Sequence, residues 1–232
     1  MALWLSLLLK NNKNVFMKKS ALRLAFITCC MFGLTTLSIA QELKTIQLLP
    51  PDMKGGKTVM EALNNRKSAR DFAVKVLPLQ QLSDLLWAAN GLNRPALGKH
   101  TAPSAVNWQD VDIYVLNEEG IFLYDAKLSQ LKPVNAGDYR GLAGTQAFVA
   151  KAPLNLVFVS DYARMKDAKE DVKAVYAAAD AAFIAENVYL YCASADLAVV
   201  VRASIDKEKL APMLKLSSSQ HIMLAQTVGY PK

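Results

Sequence analysis

Apolar residues recur at helical spacing in four stretches of this chain. Residues 169–195 form the longest, rich in alanine and nearly free of Gly and Pro. There Val172, Val175, Tyr176, Ala179, Ala182, Phe183, Leu190 and Ala193 cover more than one face, so the helix is expected to pack on several sides. Leu82, Leu85, Leu86 and Ala89 follow Pro78 at the same period up to Asn90-Gly91, which predicts a second helix with a glycine stop. Thr58 is an N-cap for a short helix over residues 59–64, and residues 207–214 predict another.

The strand signals lie between these helices. Residues 111–116 and 121–124 are β-branched and aromatic runs about an Asn117-Glu118-Glu119-Gly120 turn, the pattern of a hairpin. Residues 154–159 are continuously apolar at strand length, which predicts a central strand buried on both faces. Val199-Val200-Val201 predicts another buried strand and residues 222–228 a last one. Residues 93–109 read as loop, and residues 41–57, with Pro50-Pro51 and Gly55-Gly56, as an extended arm. Helices and strands mix without regular βαβ alternation, so the expected class is α+β.

The first 40 residues carry a leader and stand outside the fold. Met17-Lys18-Lys19 with Arg23 is a basic region, residues 24–37 an apolar one, and Ser38-Ile39-Ala40 a small-residue cleavage signal before Gln41. Met17 is the better start, cleavage is expected after Ala40, and the apolar run is short for a membrane span. The mature chain is then one domain, the arm over 41–57 followed by residues 58–232, located in the periplasm or cell envelope. Removing Lys10, Lys13, Lys18, Lys19 and Arg23 leaves 22 basic side chains against 20 acidic, a net of +2 where the whole chain has +7. That balance gives no reason to expect a nucleic-acid partner or an acidic membrane surface. Cys29 and Cys30 leave with the leader. Cys192, among alanines and aromatics, reads as a buried structural thiol.

Several chemistries lack their residues. Gly55-Gly56-Lys57-Thr58 resembles the end of a P-loop, but Pro51 stands where the first glycine is required. Gly141-Leu142-Ala143-Gly144 has the wrong spacing for a dinucleotide fingerprint. His100 and His221 have no metal-ligand spacing around them, and His100 with Ser104 has neither a nucleophile elbow nor an evident orienting acid. What stands out is Arg66-Lys67-Ser68-Ala69-Arg70-Asp71-Phe72. In an extended segment Arg66, Ser68 and Arg70 point to one side, and two guanidinium forks with a hydroxyl suit a phosphate or an electron-rich ring edge. A solvated charged turn is the alternative. With no nucleophile or metal of its own, such a chain suits chemistry carried by a bound cofactor.

R-x-S-x-R followed, after the next helix, by P-S-x-x-N in Ala102-Pro103-Ser104-Ala105-Val106-Asn107 resembles the FMN-dependent nitroreductase family. The resemblance runs from Thr58 to the end and takes in the Ala-rich helix, Asp196-Leu197-Ala198-Val199 and the closing Thr227-Val228-Gly229-Tyr230. It looks closest to the compact branch typified by azoline (thiazole/oxazole) dehydrogenases. The resemblance implies a mostly antiparallel sheet flanked by helices and a homodimer with the long helix at its interface. FMN would carry the chemistry, with no catalytic side chain, a small-molecule substrate and an unknown electron donor, since NAD(P)H is not expected outside the cytoplasm. By the same resemblance Arg66 and Ser68, with Lys67 beside them, hold the phosphate and ribityl chain, and Arg70 faces the pyrimidine edge. Pro103, Ser104 and Asn107 reach the flavin from the other subunit, Gln146 brings an amide near the ring, and Ala203-Ser204 bring backbone to N5. Relatives commonly have a glycine near Ser204 or Ala198, and many continue into a basic tail where this chain stops at Lys232. Either Lys232 or Arg202 is then expected to supply the missing charge. The alternative is an exported binding protein that keeps the fold and has lost FMN.

Overall fold

The computed structural model describes residues 42–232; the leader, Met17 and the expected cleavage point lie outside the described residues. The described residues belong to one compact unit, Gln41–Lys232. They form a seven-stranded sheet, a two-stranded ribbon and four α-helices. In chain order these are β1 (Ile46–Gln47), α1 (Val59–Asn65), α2 (Leu79–Asn90), β2 (Leu92–Arg94), β3 (Lys99–His100), β4 (Val111–Leu116), β5 (Gly120–Asp125), β6 (Gln130–Ala136), β7 (Leu154–Asp161), α3 (Glu170–Ser194), β8 (Ala198–Arg202), α4 (Lys207–Met213) and β9 (Gln220–Gly229). The large sheet runs β1-β6-β5-β4-β7-β9-β8, and every neighbouring pair is antiparallel.

The continuous apolar run predicted a doubly buried strand, and β7 is that strand. Leu154, Leu156 and Phe158 face a core shared with α2 and α3, while Val157 and Val159 face a second core against α4. Period-2 alternation delivers one set of side chains to each layer. Helix α3 crosses the first face and buries Ala177, Ala181, Ile184, Ala185, Val188 and Cys192. Burial raises the Cys192 thiol well above the ordinary range, so it is a structural thiol as expected. Among the described residues no helix is long and apolar enough to cross a membrane.

Three features differ from the sequence reading. Strand β6 was not expected; it pairs with β5 through a register shift between Ile121 and Phe122, where Pro133 sits opposite Phe122. Residues 93–109 are not all loop, because β2 and β3 pair as a ribbon. Strand β8 is buried as expected but lies at the end of the sheet, and the chain near Ala69 covers its free edge.

Candidate functional site

Helix α1 begins at a reciprocal capping box. Thr58 Oγ1 accepts the Glu61 N–H, and Glu61 accepts the Thr58 hydroxyl at 2.7 Å and the Thr58 N–H at 2.9 Å, which together lower the Glu61 carboxyl below its usual range. At its far end Arg66 turns extended (φ −56°, ψ 120°) and releases residues 66–72 from the helix. That strip is then fixed at three points: Ala69 N–H to the Val199 carbonyl (2.9 Å), Phe72 bridged to Pro231, and Ala73 N–H to the Tyr230 carbonyl (2.9 Å). Gly229 lets the strip lie close, since a Cβ there would sit 2.8 Å from Pro153 and 3.3 Å from the Phe72 ring.

Arg66 and Ser68 converge on Tyr189 of α3. The Arg66 guanidinium stands 5.4 Å from the centre of the Tyr189 ring, and Ser68 Oγ is 2.8 Å from the Tyr189 hydroxyl, which itself accepts the Val201 N–H at 3.0 Å. Lys67 lines a cavity of about 380 Å³ beside Tyr189 and Asp196. Arg70 lines a different cavity, of about 480 Å³, with Phe72, Phe148, Lys151 and Lys232. Sequence reasoning did not single out Tyr189 or Lys151; neither stands in a motif, and only the docking of the strip brings them to it. The bridge to Pro231 is what sets Lys232 beside Arg70. Among the described residues Arg66, Lys67, Arg70, Lys151 and Lys232 are exposed and take part in no ion pair.

Arg202 corrects one of the two options for the missing charge. It is buried, with Nε and Nη2 on the Ala143 carbonyl (3.2 and 3.0 Å), Nη2 on Asn155 Oδ1 (2.8 Å) and Nη1 on Thr227 Oγ1 (2.5 Å). Desolvation pulls its pKa down to about 10, still charged at neutral pH. Gly144 admits the guanidinium, since a Cβ there would fall 2.3 Å from Nε. The Arg202 side chain is thus taken up in the fold, whereas Lys232 is exposed and in no ion pair among the described residues.

Gln146 Oε1 is buried without a donor among the described residues. Ala203 and Ser204 are exposed just beyond β8, with Ser204 tied to Thr145 through its carbonyl (3.3 Å) and its hydroxyl (2.8 Å). Pro103, Ser104 and Asn107 lie on a loop that docks elsewhere on α3: Asp180 takes the Ala105 N–H, and Trp108 meets Tyr176 edge-on at 5.6 Å. Tyr189 and Asp180 are nine residues apart, about 14 Å along a helix axis. Within one chain the two motifs are therefore held at separate points of α3. His100 and Ser104 form no couple, since His100 Nδ1 contacts the Asn90 carbonyl (2.7 Å) and Ser104 Oγ accepts the Gln109 N–H (3.0 Å).

The model of the Nitroreductase family matches residues 63–230, from the last turn of α1 through β9. The chain belongs to the nitroreductase family. A crystal structure of a Ralstonia eutropha protein named as a nitroreductase shares 40% identity and a TM-score of 0.79, covering 84% of this chain and 92% of that one. A Methanocaldococcus jannaschii protein that also carries a nitroreductase name is 28% identical over 195 residues, 80% of this chain and 96% of its own. A chain of the E. coli microcin synthetase McbBCD complex has the same fold at 15% identity, with a TM-score of 0.63 over 87% of this chain and 80% of that one. The expected α+β nitroreductase-like fold is thus the fold found, and membership makes this chain an oxidoreductase by family.

Proposed function

We propose that the protein is an exported FMN-dependent oxidoreductase that passes a hydride between flavin N5 and a small organic substrate. The observation that carries this reading is the docked strip of residues 66–72. It holds Arg66 and Ser68 against Tyr189 and leaves Arg70 and Lys232 lining a separate cavity, all without an ion-pair partner among the described residues. A run of free cations and a hydroxyl suits a ligand with a phosphate at one end and an electron-rich ring at the other. The orphan acceptor at Gln146 Oε1 fits the same ligand, which offers a ring N–H.

FMN, when bound, supplies the two-electron chemistry at N5. Arg66 and Ser68 hold the phosphate and ribityl chain, with Lys67 adding positive charge beside them. Arg70 sets a cation at the pyrimidine edge, where it favours the reduced state. Lys232 lines the Arg70 cavity, so its charge adds to that of Arg70 rather than to the Arg66 and Ser68 end. Ala203-Ser204 bring backbone towards N5, and no side chain acts as nucleophile.

Pro103, Ser104 and Asn107 complete the site from a second copy of the chain. Their separation from the strip along α3 supports this, as do exposed apolar side chains on both helices, Val59 and Met60 on α1 and Val175 and Phe183 on α3. The compact-branch resemblance rests on the chain's own motifs together with the fold shared with the microcin synthetase chain.

A visible absorption spectrum of the purified protein tests the cofactor: flavin bands that survive gel filtration are expected, and a colourless protein that takes up no added FMN overturns the reading. For the composite site, Arg66→Ala and Asn107→Ala are each expected to abolish flavin binding, while co-refolding the two restores about a quarter of the wild-type flavin, because half of the dimers are mixed and half of their sites are intact. No recovery from well-mixed dimers places both motifs in one subunit.

A further inference from the structure

Asp110, just before β4, and Asp180, in the middle of α3, line one small void although 70 residues separate them in the chain. Asp110 is fully buried and Asp180 is 2% exposed. Sequence reasoning passed over both. The available signal was a lone carboxylate at position 180 in an Ala-Ala-Ala-Asp-Ala-Ala run. Asp110 Oδ2 accepts the Ser160 hydroxyl at 2.6 Å, and both Asp180 oxygens share the Ala105 N–H at 3.0 and 3.1 Å. Asp110 Oδ1 has no donor among the described residues.

Two ionised carboxylates facing one small buried void repel each other, and a buried acceptor without a donor is costly. Among the described residues no cation forms an ion pair with Asp110 or Asp180, although the Arg164 charge is felt at Asp110. Arg164 is engaged by Asp112 (2.6 Å) and the Gln109 carbonyl (2.8 Å), and His100 by Asn90; Asp112 is itself acidic, and Tyr162 is neutral at ordinary pH. The void lined by the pair, His100, Pro103 and Ser104 is about 10 Å³, room for roughly one water. A proton on Asp180 supplies the missing donor to Asp110 Oδ1.

The loop fastened by the pair is under strain. Val106, Asn107 and Gln109 lie at φ 49°, 60° and 50°, a region that a β-branched residue rarely enters, so something must hold them there. Tyr176 and Asp180, one turn apart on α3, grip the loop through Trp108 and the Ala105 N–H.

We propose that the Asp180 carboxyl keeps its proton towards Asp110, and that this pair is the latch holding residues 103–107 in shape against α3. The role of that loop in flavin binding rests on the function proposed above; the latch does not. Burial, then Asp110, pushes the Asp180 carboxyl up to about 7. A released loop has an ordinary carboxyl that ionises near pH 4. Between about pH 4 and 7 the latched state keeps a proton that the open state has given up, so latching is strongest in acid, weakens as pH rises through that window and levels off above it.

Hydrogen exchange of the segment around Ala105–Trp108, corrected for the intrinsic pH dependence of exchange, tests this. In the wild type protection should fall by up to about tenfold per pH unit from about 5 to 7 and then flatten. Asp180→Asn, whose amide can accept from Ala105 and donate to Asp110, should keep the loop protected and remove the pH dependence. Asp110→Asn should do the same from the other side if the first variant folds poorly. PH-independent protection in the wild type, or an unchanged pH profile in both variants, overturns the latch. FMN affinity read on the same samples separates the two ideas: a pH-dependent loop with pH-independent affinity keeps the latch and removes the loop from the cofactor site.

Discussion

Two arginine settings lie within a few residues of each other across β8, and they have opposite fates. Arg202 is buried and spends its donors on Ala143, Asn155 and Thr227. Arg66 and Arg70 stand outside on the docked strip, exposed and in no ion pair among the described residues. The same guanidinium fork is structural in one place and available in the other. What separates them is the supply of internal acceptors. Asn155 and Thr227 face each other across β7 and β9 and form a polar cup that a glycine, Gly144, leaves open to the fork. The Arg66 and Ser68 side chains meet a ring face and a hydroxyl on Tyr189.

The contrast is sharpest in stability. Arg202→Ala leaves the Ala143 carbonyl and the Asn155 and Thr227 side chains without their shared donor inside the sheet, and should cost about 3 kcal/mol or more in chemical denaturation. A loss below about 1 kcal/mol would mean that Arg202 is no more structural than its outer counterparts.

Arg66→Ala should show the reverse. On the proposed function it weakens FMN binding by roughly 2 to 4 kcal/mol, the scale for losing a charge-assisted partner, while stability shifts by only about 0.5 kcal/mol, as for an exposed residue. Flavin titration and thermal melting on the same preparation read both numbers. Unchanged affinity would make the strip a solvated turn.

Arg70 divides the outer pair further, because it lines a separate cavity with Phe148 and Lys232. If it acts on the ring, Arg70→Gln should leave affinity for the oxidised cofactor nearly intact and make reduction harder, by about 30 mV for each ~1.4 kcal/mol of lost differential stabilisation. A potentiometric titration with no negative shift removes Arg70 from that role.

These fates were only partly legible in the sequence. Elements with a strong apolar period came through: β7, the β4–β5 hairpin, and α2 and α3 with their ends. Strand β6 did not, because only Leu131 in it is buried and Pro133 argues against a strand; the structure accommodates that proline at the register shift beside Phe122. The strip was legible as a cationic cluster and its neighbour Lys232 as a candidate charge. Arg202 was misjudged because its neutral partners, Asn155 and Thr227, are 47 and 25 residues away and carry no motif. The Asp110–Asp180 contact was invisible for the same reason. Pairings made by the fold alone leave no local trace.

Tyr189 belongs to both regions and offers the finest test of the comparison. Its oxygen accepts the Val201 N–H next to Arg202, which leaves the tyrosine proton available to Ser68 Oγ and the serine proton available to a ligand. Tyr189→Phe keeps the ring under Arg66 and removes only this relay. It leaves the Val201 N–H unpartnered and should cost about 1 kcal/mol of stability. If Ser68 donates to the FMN phosphate, the same change should weaken FMN binding, by less than Arg66→Ala does, because the serine remains but is no longer oriented. Combining it with Ser68→Ala then separates the two effects. The stability losses should add nearly independently if Val201 is the tyrosine's main dependent, whereas the affinity losses should not add, since without the serine there is nothing left to orient. Additive affinity losses would show that Tyr189 and Ser68 serve the site separately, and no stability loss in Tyr189→Phe would detach the outer strip from the inner network altogether.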